Sequence, residues 1–116
     1  MEGSVVMNRY IVLYHAPQEV AERFAQATPE ETAVGLAQWQ EWSARLGDRL
    51  VDAGRPLGAP ATVTPDAVSD GGSDVIGLSV IQAGSRAEAI ALIRDHHHLA
   101  FGPITVLEEQ AIPELA

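Results

Sequence analysis

Three consecutive histidines, His96, His97 and His98, stand where an amphipathic segment ends and a last strand begins. Imidazole titrates near neutral pH, so this run is the chain's main stock of acid–base and metal-binding groups. The rest of the inventory is narrow. There is no cysteine and no lysine, and all 7 basic residues are arginines. Thiol nucleophiles, lysine Schiff bases and cysteine metal sites are therefore excluded. Histidine, carboxylate, arginine and tyrosine remain.

The histidine run admits two geometries. If a helix continues through it, His96 and His97 project to the buried side with Ala89 and Ile93. If the chain turns extended, His96 and His98 share a face. Adjacent side chains on a helix cannot all reach one ion, because helical ligand pairs need a spacing of three or four, and no metal site is expected. Two roles stay open: an imidazolium facing the negative end of a helix beside Asp95, or a pocket and acid–base group.

His15, the fourth histidine, closes the first strand on the face of Ile11 and Leu13. It is either a polar strand end or a general base. Asp52 stands one turn before Gly54. At the end of a helix a carboxylate opposes the dipole, so it either pairs with Arg49 or Arg55 or serves chemistry. His15, Asp52 and His96 are thus the candidate catalytic residues. Trp39 and Trp42 share one broad face of a helix, where they pack the core and a dimer contact or line a hydrophobic pocket. Tyr10 and Tyr14 pose the same choice, and Tyr14 and His98 join the pocket candidates. Glu108 and Glu109 point to opposite faces and make no paired site. No Gly-x-Gly-x-x-Gly, phosphate loop or Gly-x-Ser-x-Gly elbow occurs.

The elements that position these groups follow from periodicity. Residues 9–15 alternate with apolar residues on both faces, which predicts a central strand. Residues 17–27 connect, with a helical turn around 19–24. Thr28, Pro29 and Glu31 form a capping box at the start of a long helix. Its apolar stripe runs through Leu36, Trp39, Leu46, Leu50 and Ala53, with Gly54 as its stop and Gly35 and Gly47 inside it. Strands are predicted at 61–64, 74–82 and 104–110, a turn at 70–73, and a second helix from Ser85. The order β-α-β-β-α-β predicts an α+β, ferredoxin-like four-stranded antiparallel sheet with both helices on one face. The opposite face is then apolar and bare, and a second copy of the chain is its simplest cover.

A length of 116 residues fits one domain, 1–116, with its core at about 9–112. The net charge of -9 disfavours nucleic acid and anionic membranes as partners. No apolar run is long enough to span a bilayer, and the first eight residues lack the features of a signal peptide. A cytoplasmic protein is expected.

The chain resembles the YCII-related proteins of the dimeric α+β barrel superfamily. The likeness rests on the opening strand Arg9–Tyr14, the Thr28-Pro29-Glu30-Glu31 helix start and Trp39-Gln40-Glu41-Trp42. It continues through Leu50 to Gly58, the strand around Gly77–Ile81, and Asp95-His96-His97-His98-Leu99. The resemblance implies a ferredoxin-like subunit, a dimer with packed sheets, and a pocket near the first helix and the segment after it. It also implies a His-Asp pair in some members. Asp52 matches the aspartate, whereas Ser43 stands where the histidine would be, so that dyad is incomplete here. Ser43 joins Tyr14, Trp39, Trp42 and His98 as a pocket candidate. The wider superfamily includes muconolactone isomerases and antibiotic-biosynthesis monooxygenases that need no cofactor, and none is expected here.

Two functions therefore compete. One is a homodimer with a small hydrophobic pocket, a possible small organic ligand and no assigned activity. The other is a cofactor-independent isomerase or lyase that moves a proton on an apolar or aromatic molecule by a His-Asp pair.

Overall fold

Strand β1 (Asn8–His15) is the axis of the fold, and its alternation sorts the molecule into two faces. The computed structural model describes residues 6–112. The outermost reach of the predicted domain, and most of the leading segment read for targeting, lie outside the described residues. Tyr10, Val12 and Tyr14 are buried on one face of β1, and Ile11, Leu13 and His15 are half-buried on the other.

A short helix α1 (Gln18–Ala25) follows Pro17, where a single turn was expected. Helix α2 (Pro29–Leu46) begins as its capping box predicts. Thr28 Oγ1 accepts from the Glu31 N–H at 3.1 Å, and the Glu31 carboxylate accepts from the Thr28 N–H at 2.9 Å. Its end is not as predicted. The stop is Gly47, at φ 58°, a conformation a side chain disfavours, and its N–H donates to Ser43 O. The chain makes one 3-10 turn over Gly47–Arg49 and leaves as strand β2 (Leu50–Pro56). The expected helical run to Ala53 is corrected accordingly, and Asp52 lies on a strand rather than against a helix dipole.

Strand β3 (Ala61–Val63) pairs only with β4 (Val68–Asp70), as a separate two-stranded hairpin whose six strand residues are all exposed. The expected strand at 61–64 is therefore real but not part of the main sheet. β2 takes that place beside β5 (Val75–Ala83). Helix α3 (Arg86–Ile93) starts at Ser85, whose hydroxyl accepts from the Glu88 N–H, while the Glu88 carboxylate accepts from Gly84 N–H. Strand β6 (Ile104–Glu108) closes the sheet.

The sheet has four strands in the order β2-β5-β1-β6, antiparallel throughout. Tyr10, Val12, Tyr14, Ile81 and Ala83 form its inner face, and Trp42 and Leu46 of α2 with Ala89 and Ile93 of α3 pack on them. Trp42 Nε1 donates to Leu92 O at 3.3 Å, which ties α2 to the end of α3. Both helices thus lie on one side. On the other side Ile11 pairs with Val80 and Leu107, and Leu13 with Leu78 and Thr105. Among the described residues no helix shares that face. None is long and apolar enough to cross a membrane.

Candidate functional site

A cavity of about 420 Å³ opens where β1, β2 and β5 meet α1 and α2. This is within the usual range for small-ligand sites. Its apolar walls come from Tyr14, Phe24, Leu36, Trp39, Pro56 and Ile76, and its polar groups from Gln40, Ser43, Arg55 and His98. Four of the five expected pocket residues, Tyr14, Trp39, Ser43 and His98, therefore meet here. Trp42 does not line it. It is 1% exposed and sits beneath, between α2 and α3, because three residues along a helix turn its ring away from Trp39's direction.

The loop after α3 explains the histidines. Helix α3 ends at Ile93, His96 is extended (φ -63°, ψ 137°), and a 3-10 turn covers His97–Ala100. The run is therefore neither a continued helix nor fully extended, and His96 and His98 are both buried. The His96 ring lies against Trp42 (centroids 4.5 Å apart), Tyr14 and Trp39 (5.0 Å each), and it stacks on His97 at 4.4 Å. Its Nδ1 accepts from the His98 N–H at 3.0 Å, which places its own proton on Nε2, without a partner among the described residues. Burial first, then the neighbouring His97, His98 and Arg45 charges, push its pKa down to about 3. His96 is thus neutral at pH 7 and shapes the loop. It is not the imidazolium expected at a helix end, and it is not among the residues lining the cavity.

His98 has the opposite character. Its Nε2 lies 2.7 Å from the carbonyl oxygen of His15. A carbonyl only accepts, so Nε2 carries the proton and Nδ1 is left as a bare acceptor. Burial lowers the His98 pKa, which keeps the ring neutral near pH 7. Gly102 guards the same oxygen: a Cβ there would run into His15 O, so the close approach needs a glycine.

His15 contributes that backbone oxygen and not its ring. Its Nδ1 is 2.7 Å from Asp74 Oδ1 and its Nε2 is 2.7 Å from Thr105 Oγ1. The hydrogen bond from His15 holds the Asp74 carboxyl below its usual range. Asp52 acts locally as well. Oδ2 accepts from Arg55 Nη2 at 2.7 Å and Oδ1 from Gly54 N–H at 2.8 Å, and the Arg55 bond first, then the Gly54 bond, hold its pKa down. His15, Asp52 and His96 thus each have their own partners, and no hydrogen bond joins any two of their side chains. Pairing with Arg55, one of the two arginines expected for Asp52, is what the structure contains.

Tyr14 lies at the cavity floor. Its hydroxyl donates to Ser79 Oγ at 2.8 Å, and Ser79 donates to Ala53 O at 2.7 Å. Burial pushes the Tyr14 pKa up to about 12, so it stays a phenol. Among the described residues no group of three or more histidines and carboxylates is placed to hold a metal ion. A second cavity, about 410 Å³, lies between α3 and β6, with Arg86, Arg94 and Tyr10 in its wall and no histidine.

Sequence reasoning missed Phe24, Leu36, Gln40, Arg55, Pro56 and Ile76 as wall residues. For Arg55 and Pro56 the cause is local: extending α2 to Ala53 hid the strand that carries them to the cavity. Compared with known proteins, the chain matches no family model, and no curated protein is significantly similar to it.

Proposed function

We propose that this chain forms a homodimer of ferredoxin-like, YCII-related subunits and binds a small apolar or aromatic molecule in the β1–β2–β5 cavity. The single observation behind this is a cavity of about 420 Å³ walled by Tyr14, Phe24 and Trp39, with only a few polar groups converging on it. The strand order β2-β5-β1-β6, with both packed helices on one side, supports the ferredoxin-like reading.

The second copy covers the sheet face around Ile11, Leu13, Leu78 and Val80. A mass of twice 12.4 kDa, about 25 kDa, is expected by light scattering at micromolar concentration. Leu13→Arg, at the centre of that face between Leu78 and Thr105, is expected to give the monomer mass while the fold persists. A monomeric parent protein rejects the dimer. For the pocket, aromatic probes are expected to shift the Trp39 indole NMR signal at millimolar concentration or below. No shift with any probe rejects the ligand reading.

One observation favours a second reading, a cofactor-independent isomerase or lyase: His98, whose Nδ1 carries no proton, is among the residues that line the cavity. The proton acceptor would then be His98, with Asp52 acting only through Arg55. Exchange of a bound ligand's C–H for deuterium, fast with the parent protein and absent in His98→Gln, is its signature. Equal exchange rates in the two remove it.

A further inference from the structure

The cavity wall has a donor–acceptor pattern that selects among aromatic molecules. Among the described residues, Arg55 is the one fully charged side chain lining it, in a chain whose net charge is -9. Its charge is shared with Asp52, so what it offers an anion is the guanidinium's remaining N–H donors. The guanidinium has five N–H donors, and the structure shows one nitrogen, Nη2, bonded to Asp52. Asp52 is itself fixed by the Gly54 N–H, so the guanidinium is held from one side while the rest of its fork stays available. Its side chain is 55% exposed, so an incoming carboxylate can reach it.

The second polar point is His98 Nδ1. It has no hydrogen-bond partner among the described residues. The only buried side-chain nitrogen or oxygen atoms without partners there are Tyr10 Oη and His96 Nε2. His98 Nδ1 is therefore not sealed off, and its ring lines the cavity. Because Nε2–H is committed to His15 O, Nδ1 can only accept. A ligand that approaches it needs an O–H or N–H. Tyr14 offers a ligand no donor, since its hydroxyl hydrogen is already given to Ser79.

We propose that the cavity takes a small aromatic carboxylate that also carries a hydroxyl or N–H group. The carboxylate sits on Arg55, the ring lies among Tyr14, Phe24 and Trp39, and the donor points at His98 Nδ1. This rests on the pocket reading given under the proposed function and narrows it to one ligand class. Hydroxybenzoates are its simplest representatives.

The test uses the full chain and five probes: the three positional hydroxybenzoates, benzoate, and toluene as a neutral control. At least one hydroxybenzoate is expected to bind about tenfold more tightly than benzoate, and benzoate more tightly than toluene, by calorimetry or NMR titration. In His98→Gln the side-chain amide can still donate to His15 O in place of Nε2–H, but it offers no acceptor where Nδ1 was. That variant is expected to reduce the hydroxybenzoate-to-benzoate ratio to about one and to leave benzoate affinity within about twofold. In Arg55→Gln the benzoate advantage over toluene is expected to vanish.

A merely structural role for His98 would weaken all probes together, and that outcome overturns the assignment. Binding of toluene and benzoate with no gain from any hydroxyl position also overturns it, while the pocket reading survives. Failure of all five probes to perturb Trp39 overturns both.

Discussion

Trp42→Ala is expected to lower the unfolding free energy by about 4 kcal/mol, read as the shift of the urea midpoint at fixed protein concentration and constant slope. Trp42 is 1% exposed and joins α2 to the inner face of the sheet. Removing the ring takes away burial and leaves a void that α2 and α3 cannot collapse into, because Leu46, Ala89 and Ile93 are already packed around it. It also strips the His96 ring of its contact with the indole and Leu92 O of its donor. Domains of this size have total stabilities of about 5–15 kcal/mol, so the loss is a quarter or more of the whole. Trp42→Phe separates the terms. It keeps a ring and loses the N–H, and its cost is expected to be about 1–2 kcal/mol. An alanine variant as stable as the parent would show that Trp42 is not core.

Acidification from pH 6.5 to pH 4 is expected to cost about 3 kcal/mol of stability, most of it from His96. Unfolded, the imidazole has its ordinary value of 6.5, and folded, it is pushed down to about 3. Between those values the unfolded chain binds the proton and the folded chain does not. The stabilisation is thus fully present above pH 6.5 and is lost as pH falls toward 3. The slope is at most about 1.4 kcal/mol per pH unit, and relaxation around a charged ring reduces it. His97 and His98 are lowered in the same direction, and their shifts add to the loss. The exposed carboxylates Asp52 and Asp74 act later. Their folded values lie below the ordinary 3.8, so their stabilisation is lost only as pH falls from about 3.8 through those values.

The onset near pH 6.5 therefore marks the histidines. His96→Asn keeps an acceptor for the His98 N–H and has no proton to gain. Urea titrations of this variant at pH 7, 5.5 and 4 are expected to show a much flatter profile. A profile as steep as the parent's would mean that another group carries the dependence.

Much of this site could be read from residue order, and the failures at the end of α2 share one cause. The Thr28 capping box and the alternation of β1 are local signals, and both stand in the structure as read. Tyr14, Trp39, Ser43 and His98 were legible as pocket residues. The chain end of α2 was misplaced because Gly47 and Gly54 look alike in a row of letters; both take a positive φ, and only the tertiary fold decides which of them ends the helix. The stripe through Leu46 and Leu50 reads as helical because both residues face the core, although one closes a helix and the other opens a strand that pairs with Ile81. That one shift hid Arg55 and sent the expected sheet strand to residues 61–64. The partner of His98 was not legible either. His15 and His98 are 83 residues apart, and the link runs through a backbone oxygen that no side-chain pattern announces.

The pairing of β1 also constrains how the chain is made. Its two sheet neighbours are β5 and β6, so Tyr10 meets Ile81 and then Glu108. On the ribosome, at about 5–20 residues per second, this apolar strand is completed seconds before either neighbour exists. Its long-range pairing also puts the fold among the slower small domains. A nascent segment holding Tyr10, Ile11, Val12, Leu13 and Tyr14 is thus left open to holdase chaperones, and to its own kind, until β5 and β6 have been made.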